Sequence, residues 1–146
     1  MKMAEVDIAH KQVWVKVNAP VDRGIAELIE ALSAFPKLQT FASCQGGYPR
    51  SDADKEGMPA VVFFHYGQDD HANPYREIAD FVLGYLGPGL MKELGDLVSI
   101  RIEVTSQYII MGDLKVRQGA MLRTIKTLKR LRREFKDHPP KVSVSS

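Results

Sequence analysis

The sequence predicts an α+β domain: a ferredoxin-like split βαβ core, βαββαβ in chain order, extended by a further strand and a C-terminal helix. Three observations lead there. Stretches of period-two hydrophobicity interleave with stretches of helical period. Breakers separate them at element length: Asn18-Ala19-Pro20, Pro36, Gly87-Pro88-Gly89 and His138-Pro139-Pro140. The chain of 146 residues, 45% of them hydrophobic, has the size and apolar content of one domain with its own core. Residues 1–146 are therefore read as a single α+β domain, ordered over about 11–137 with a tail at 138–146.

Lys11–Val17 alternates, with Val13, Val15 and Val17 on one side, and reads as a half-buried first strand. Asp22 is placed to cap a helix over Arg23–Phe35, with Ile25, Leu28, Ile29 and Leu32 on one face. Leu38–Cys44 is the second strand. Gln45–Met58 has no hydrophobic period and reads as a long loop, of a length that is usually functional or disordered. Ala60–Tyr66 is apolar on both faces, so it is expected at the centre of the sheet. Gly67–Asn73 is a polar turn, and Pro74 suits the first turn of a helix to Leu86. Gly87-Pro88-Gly89 is expected to interrupt that helix before a shorter piece ending at Leu94. Val98–Val104 alternates cleanly. Thr105-Ser106-Gln107 turns into a strand over Tyr108–Val116, with Gly112-Asp113 as a bulge or second turn. The last helix covers Ala120–Lys136.

No stretch approaches the roughly 18–20 apolar residues that span a bilayer, and the first residues lack a signal-peptide apolar run. A single cysteine excludes an intrachain disulfide and suits a reducing compartment. The expected location is cytoplasmic, in a bacterium or the host of a phage. The net charge of +2 hides an asymmetry. Residues 1–118 hold 12 Lys/Arg against 16 Asp/Glu, whereas residues 119–146 hold 8 against 2. The positive excess sits at the C-terminal end.

Thr40-Phe41-Ala42-Ser43-Cys44-Gln45-Gly46-Gly47 ends a strand with a hydroxyl, a thiol and two glycines. Glycines there permit positive φ and close approach of a ligand, and successive N–H groups can form an anion-binding nest. A buried structural cysteine before an ordinary glycine turn fits the same residues. In the predicted fold the ends of the first two strands share one edge of the sheet. That groups Asn18, Asp22, Ser43, Cys44, Gln45, Gly46 and Gly47 with Tyr48 and Arg50 of the long loop, as a site for an anionic or nucleotide-like ligand under a mobile lid. A catalytic cysteine needs a base, a cation or a helix N-terminus. Antiparallel pairing puts His65 roughly 17 Å from Cys44, which disfavours a dyad. His10 and His138 lie near the chain ends. No residues have zinc-ligand spacing. His65, Asp69, Asp70 and His71 make a weak cation site or, more simply, a solvated turn. No catalytic and no metal-binding residues are assigned, and the cofactor is left open.

The stretch Asp22–Gly47 contains Thr40-x-x-Ser43-Cys44-x-Gly46, which resembles the Thr/Ser-Ser-Cys-x-Gly segment of the wybutosine-synthesising tRNA methyltransferase family, the third enzyme of that pathway. The resemblance implies an S-adenosylmethionine-dependent, RNA-modifying enzyme. Ala42 replaces the first serine of the family's pair, and Gly47 stands where an arginine is usual.

In the last helix Met121, Ile125, Leu128, Leu131 and Phe135 form an apolar face. Arg123, Lys126, Arg130 and Arg133 recur opposite it, flanked by Lys129, Arg132 and Lys136. This is either a contact surface for nucleic acid or an acidic protein, or a solvated helix face. Trp14 shares a strand face with Gln12 and Lys16, either covered by a helix or used in dimerisation or base stacking. Three functions follow, in order: a non-catalytic binding protein for an anionic ligand at Ser43–Gly47, forming a homodimer in one version; an RNA-modifying enzyme; and a nucleic-acid binder acting through the last helix.

Overall fold

Four strands form one antiparallel sheet, and helices cover one of its faces. The computed structural model describes residues 12–14, 20–22, 25–47, 57–67, 74–107 and 109–136. In chain order the elements are β1 (Gln12–Trp14), β2 (Pro20–Asp22), α1 (Ala26–Ser33), β3 (Leu38–Cys44), β4 (Ala60–Tyr66), α2 (Pro74–Phe81), α3 (Gly87–Leu94), β5 (Val98–Val104), β6 (Ile110–Val116) and α4 (Met121–Glu134). The α+β class is as the sequence predicts. The large sheet has the order β3-β4-β6-β5.

The split βαβ unit is present, but later in the chain than expected. β4 and β5 are both antiparallel to β6, so they run parallel to each other, joined through α2 and α3, with β6 between them. The Lys11–Val17 strand was expected as the first strand of that core. Its described part, β1, pairs instead with β2 in a separate two-stranded sheet. The physical difference is burial. β6 supplies seven paired residues, with Gly112, Leu114 and Val116 all buried against the helices. Gly112 is essential to that fit, because a Cβ there would meet the ring of Phe64, its partner across the sheet. Gly112-Asp113 is therefore neither bulge nor turn: the register runs unbroken through both. The sheet's one irregularity among the described strands lies between Thr40 and Ala42 of β3.

Two further expectations are corrected. Asp22 lies in β2, and the helix begins at Ala26 with Ile25 at its N-cap, so Asp22 does not cap it. Gly87-Pro88-Gly89 does not interrupt the second helix. Proline lacks the N–H that an α-turn requires, and the chain accommodates it with a π-helical turn over Val82–Leu86 that runs directly into α3. The two glycines serve packing. A Cβ on Gly87 would lie 2.6 Å from the Val82 carbonyl oxygen and 3.5 Å from Ile100 of β5. One on Gly89 would lie 2.7 Å from Leu131 of α4.

The core fills the space between sheet and helices. Val62, Phe64, Leu114 and Val116 point in from the sheet; Leu28, Ile29, Leu32, Leu86, Leu90 and Leu128 meet them from the helices. Full burial of each such side chain contributes about 1.5–3 kcal/mol. At one end Phe35, Phe81 and Phe135 pack edge to face, with centroids 5.3–5.7 Å apart. Tyr66 stacks on Phe81 at 4.0 Å. Phe135 follows α4 directly, so this cluster anchors the end of the basic helix.

Candidate functional site

The strand-end turn is built by backbone constraint. Gly46 and Gly47 have φ of 66° and 88°, the left-handed region that favours glycine. Gly46 is buried, and a Cβ on it would collide with the carbonyl oxygens of Met58 and Pro59. The Gly47 N–H donates to the Met58 carbonyl at 2.8 Å. Gln118, just after β6, donates from Nε2 to the carbonyls of Gln45 at 2.7 Å and Met58 at 2.9 Å. One side chain thus ties both ends of the 45–58 segment to the sheet. The Gly47 donor is already engaged by protein, which leaves it out of an anion-binding nest. Of the residues grouped at this edge from sequence, Ser43 and Cys44 lie in β3 and Gln45, Gly46 and Gly47 in the turn. Asp22 belongs to β2, which lies alongside β3. Asn18, Tyr48 and Arg50 fall outside the described residues, as do Asp69, Asp70 and His71.

Cys44 is exposed and pairs with Val61. His65 is four residues further along β4, where it pairs with Gln39. Strand rise places the two about 13 Å apart, so the dyad remains out of reach. The His65 ring stacks on Phe41 at 4.3 Å, and its Nδ1 lies 3.3 Å from the Ile110 carbonyl, the arrangement of a ring N–H donor. Among the described residues, no group of three His, Cys, Asp or Glu is placed to hold a metal ion.

The sheet face away from the helices carries a feature the sequence reading missed. The register sets Ala42, Phe63, Asp113 and Arg101 side by side across all four strands. Asp113 is 1% exposed. Arg101 donates from Nε to its Oδ2 at 3.1 Å and also lies 3.6 Å from Glu103, while Asp113 Oδ1 accepts no hydrogen bond among the described residues. After a glycine, Asp113 reads as a turn residue. Its one legible signal is that it lies at an alternating position of an otherwise strand-like run.

The basic helix divides into two sets. Arg123 donates to the Glu93 carbonyl at 3.1 Å, and Arg130 pairs with Glu93 at 3.4 Å and Glu134 at 3.2 Å. Arg132 donates from Nε to the Ala34 carbonyl at 2.9 Å, closing the C-terminal end of α1. These arginines fasten α4 to α3 and α1. Lys126, Lys129 and Arg133 form no ion pair among the described residues and project within an arc of about 60° on the side away from the core. Leu122, 78% exposed, lies on the same arc. Beside it a groove of about 420 Å³ separates α1 from α4, with Glu27 and Glu30 on one wall and Lys129, Arg132 and Arg133 on the other. The sequence reading named Arg123, Lys126, Arg130 and Arg133. The structure keeps Lys126 and Arg133 on the outward arc, adds Lys129, and turns Arg123 and Arg130 to packing.

No described helix is long and apolar enough to cross a membrane. No protein-family model, curated protein or solved structure matches the chain.

Proposed function

We propose that this chain is a binding protein whose partner is nucleic acid, held through its phosphate backbone by the outward arc of α4. One observation carries the reading. Lys126, Lys129 and Arg133 are gathered on one solvent-facing arc with no acidic partner among the described residues, although three neighbouring arginines do have protein partners. Cations with no structural duty, held on a rigid helix, lower the cost of ordering them on an anion. Such a surface asks only for charge and spacing, so it suits backbone contact and not base readout.

Fluorescence anisotropy with labelled single-stranded RNA and duplex DNA tests it. Three phosphate contacts imply a slope of log K against log salt of about −2 to −3. Lys126→Glu with Arg133→Glu should abolish binding, whereas Arg123→Ala should weaken it far less. Binding that ignores salt, or that survives the double charge reversal, overturns the proposal. Binding to polyglutamate but to neither nucleic acid would assign the surface to an acidic protein instead.

A further inference from the structure

β5 is an edge of the sheet, and no described residue pairs with its outer side. Proteins usually blunt such an edge with proline, charged side chains, a bulge or shortness. β5 has no proline, bulge or shortness: it reads Val-Ser-Ile-Arg-Ile-Glu-Val and holds an unbroken register with β6 over seven residues. Its two charges, Arg101 and Glu103, are of opposite sign. The helix layer also leaves its inward row open. Val98 is buried, Ile100 and Ile102 are half-buried, and Val104 is 56% exposed. An apolar row beside backbone groups with no partner among the described residues is the template for another strand.

The charges say which strand fits. In an antiparallel pair, residues directly opposite share a face. When β5 pairs with itself, the residue on the two-fold axis therefore fixes every contact. With Arg101 on the axis, arginine faces arginine; with Glu103 there, glutamate faces glutamate. Like charges directly opposite destabilise a pair. With Ile100 on the axis, Arg101 faces Ser99 and Val104 gains no strand partner. With Ile102 on the axis, Arg101 faces Glu103 of the second copy twice over, and Ile100 covers the exposed Val104 twice over. Only that register is complementary on both faces.

We infer that the chain forms a symmetric dimer in which β5 pairs with β5 of a second copy about Ile102, joining the two sheets into one. Arg101 then lies between Asp113 of its own chain and Glu103 of the other, in a row of alternating charge.

Sedimentation equilibrium on the full chain tests this. At about 100 µM the wild type should show twice the 16.4 kDa chain mass, since a Kd of order 10 µM already suffices for mostly dimer at that concentration. Glu103→Arg should weaken association at least tenfold, leaving about half of the chains or fewer in dimers at that concentration. Arg101→Glu combined with Glu103→Arg reverses the pairs between the copies and should restore the dimer, at a cost in fold stability from the new carboxylate beside Asp113. A second measurement does not depend on that double variant folding. In a Cys44→Ala background, Ile102→Cys should oxidise to a covalent dimer, since opposed Cα atoms in such a pair are about 4.5–5.5 Å apart, within disulfide reach. Val98→Cys should not. A monomeric wild type, a dimer indifferent to Glu103→Arg, or no cross-link at Ile102 overturns the inference.

Discussion

Gln118 Nε2 donates a hydrogen bond to the carbonyl oxygen of Gln45 at 2.7 Å, across 73 residues of chain. The same nitrogen reaches the Met58 carbonyl at 2.9 Å. A residue in the link between β6 and α4 therefore sets the geometry of the turn after β3.

Gln118→Leu removes both donors while keeping most of the side-chain volume. The expected loss is about 1–2 kcal/mol, because both bonds are near the surface and water replaces them in part. Gln118→Glu should cost at least as much, since a carboxylate cannot donate to a carbonyl. Urea unfolding monitored by circular dichroism reads the change, and an unaltered midpoint for both variants would show that the turn holds without this side chain.

Gly112→Ala places a methyl group against the Phe64 ring on the neighbouring strand. The expected destabilisation is about 1–3 kcal/mol, the range for overpacking in a tight core. Phe64→Leu alone should also destabilise. Combined with Gly112→Ala, it should cost less than the two single changes added together, because the smaller side chain makes room for the methyl group. Strict additivity in a double-mutant cycle would mean that the two residues do not compete for the same space.

Tyr85 donates its hydroxyl to the Leu131 carbonyl at 2.6 Å. Loss of hydration raises its pKa above the ordinary 10.0; the charge of Glu134 raises it further, against the opposing pull of Arg130 and Arg132. A group whose pKa is raised on folding holds its stabilising contribution whole below pH 10.0. That contribution is lost as pH rises through the folded-state pKa. Absorbance titration at alkaline pH should show a late tyrosine step above pH 10.0. Tyr85→Phe should remove that late step, lower stability at neutral pH by about 1 kcal/mol through the missing hydrogen bond, and flatten the alkaline decline. A late step that persists in Tyr85→Phe would assign it elsewhere.

Much of the element pattern was legible in the sequence. The alternation in Val98–Val104 and the breakers around Ala60–Tyr66 place those strands to the residue. The Gly87-Pro88-Gly89 misreading shows the limit of local rules. Each residue disfavours a helix by itself, yet Gly87 admits β5 and Gly89 admits Leu131, so tertiary contact outweighs propensity. Of the candidate surfaces, the positive charge of α4 was visible as composition. Which cations lack an ion pair among the described residues was not, because Glu93 and Ala34 lie 37 and 98 residues from Arg130 and Arg132, which use them.

The sequence by itself determined the class of fold, the apolar faces, and the accumulation of positive charge at the C-terminal end, since these depend on period and composition. Tertiary structure decided which strand occupies the centre of the sheet, that the Gly47 N–H is bonded to the Met58 carbonyl, and that Asp113 lies buried beside Arg101. Each of these turns on which segments pair across long stretches of chain. Strand pairing is settled by the burial gained over a whole face, and no local stretch encodes that sum.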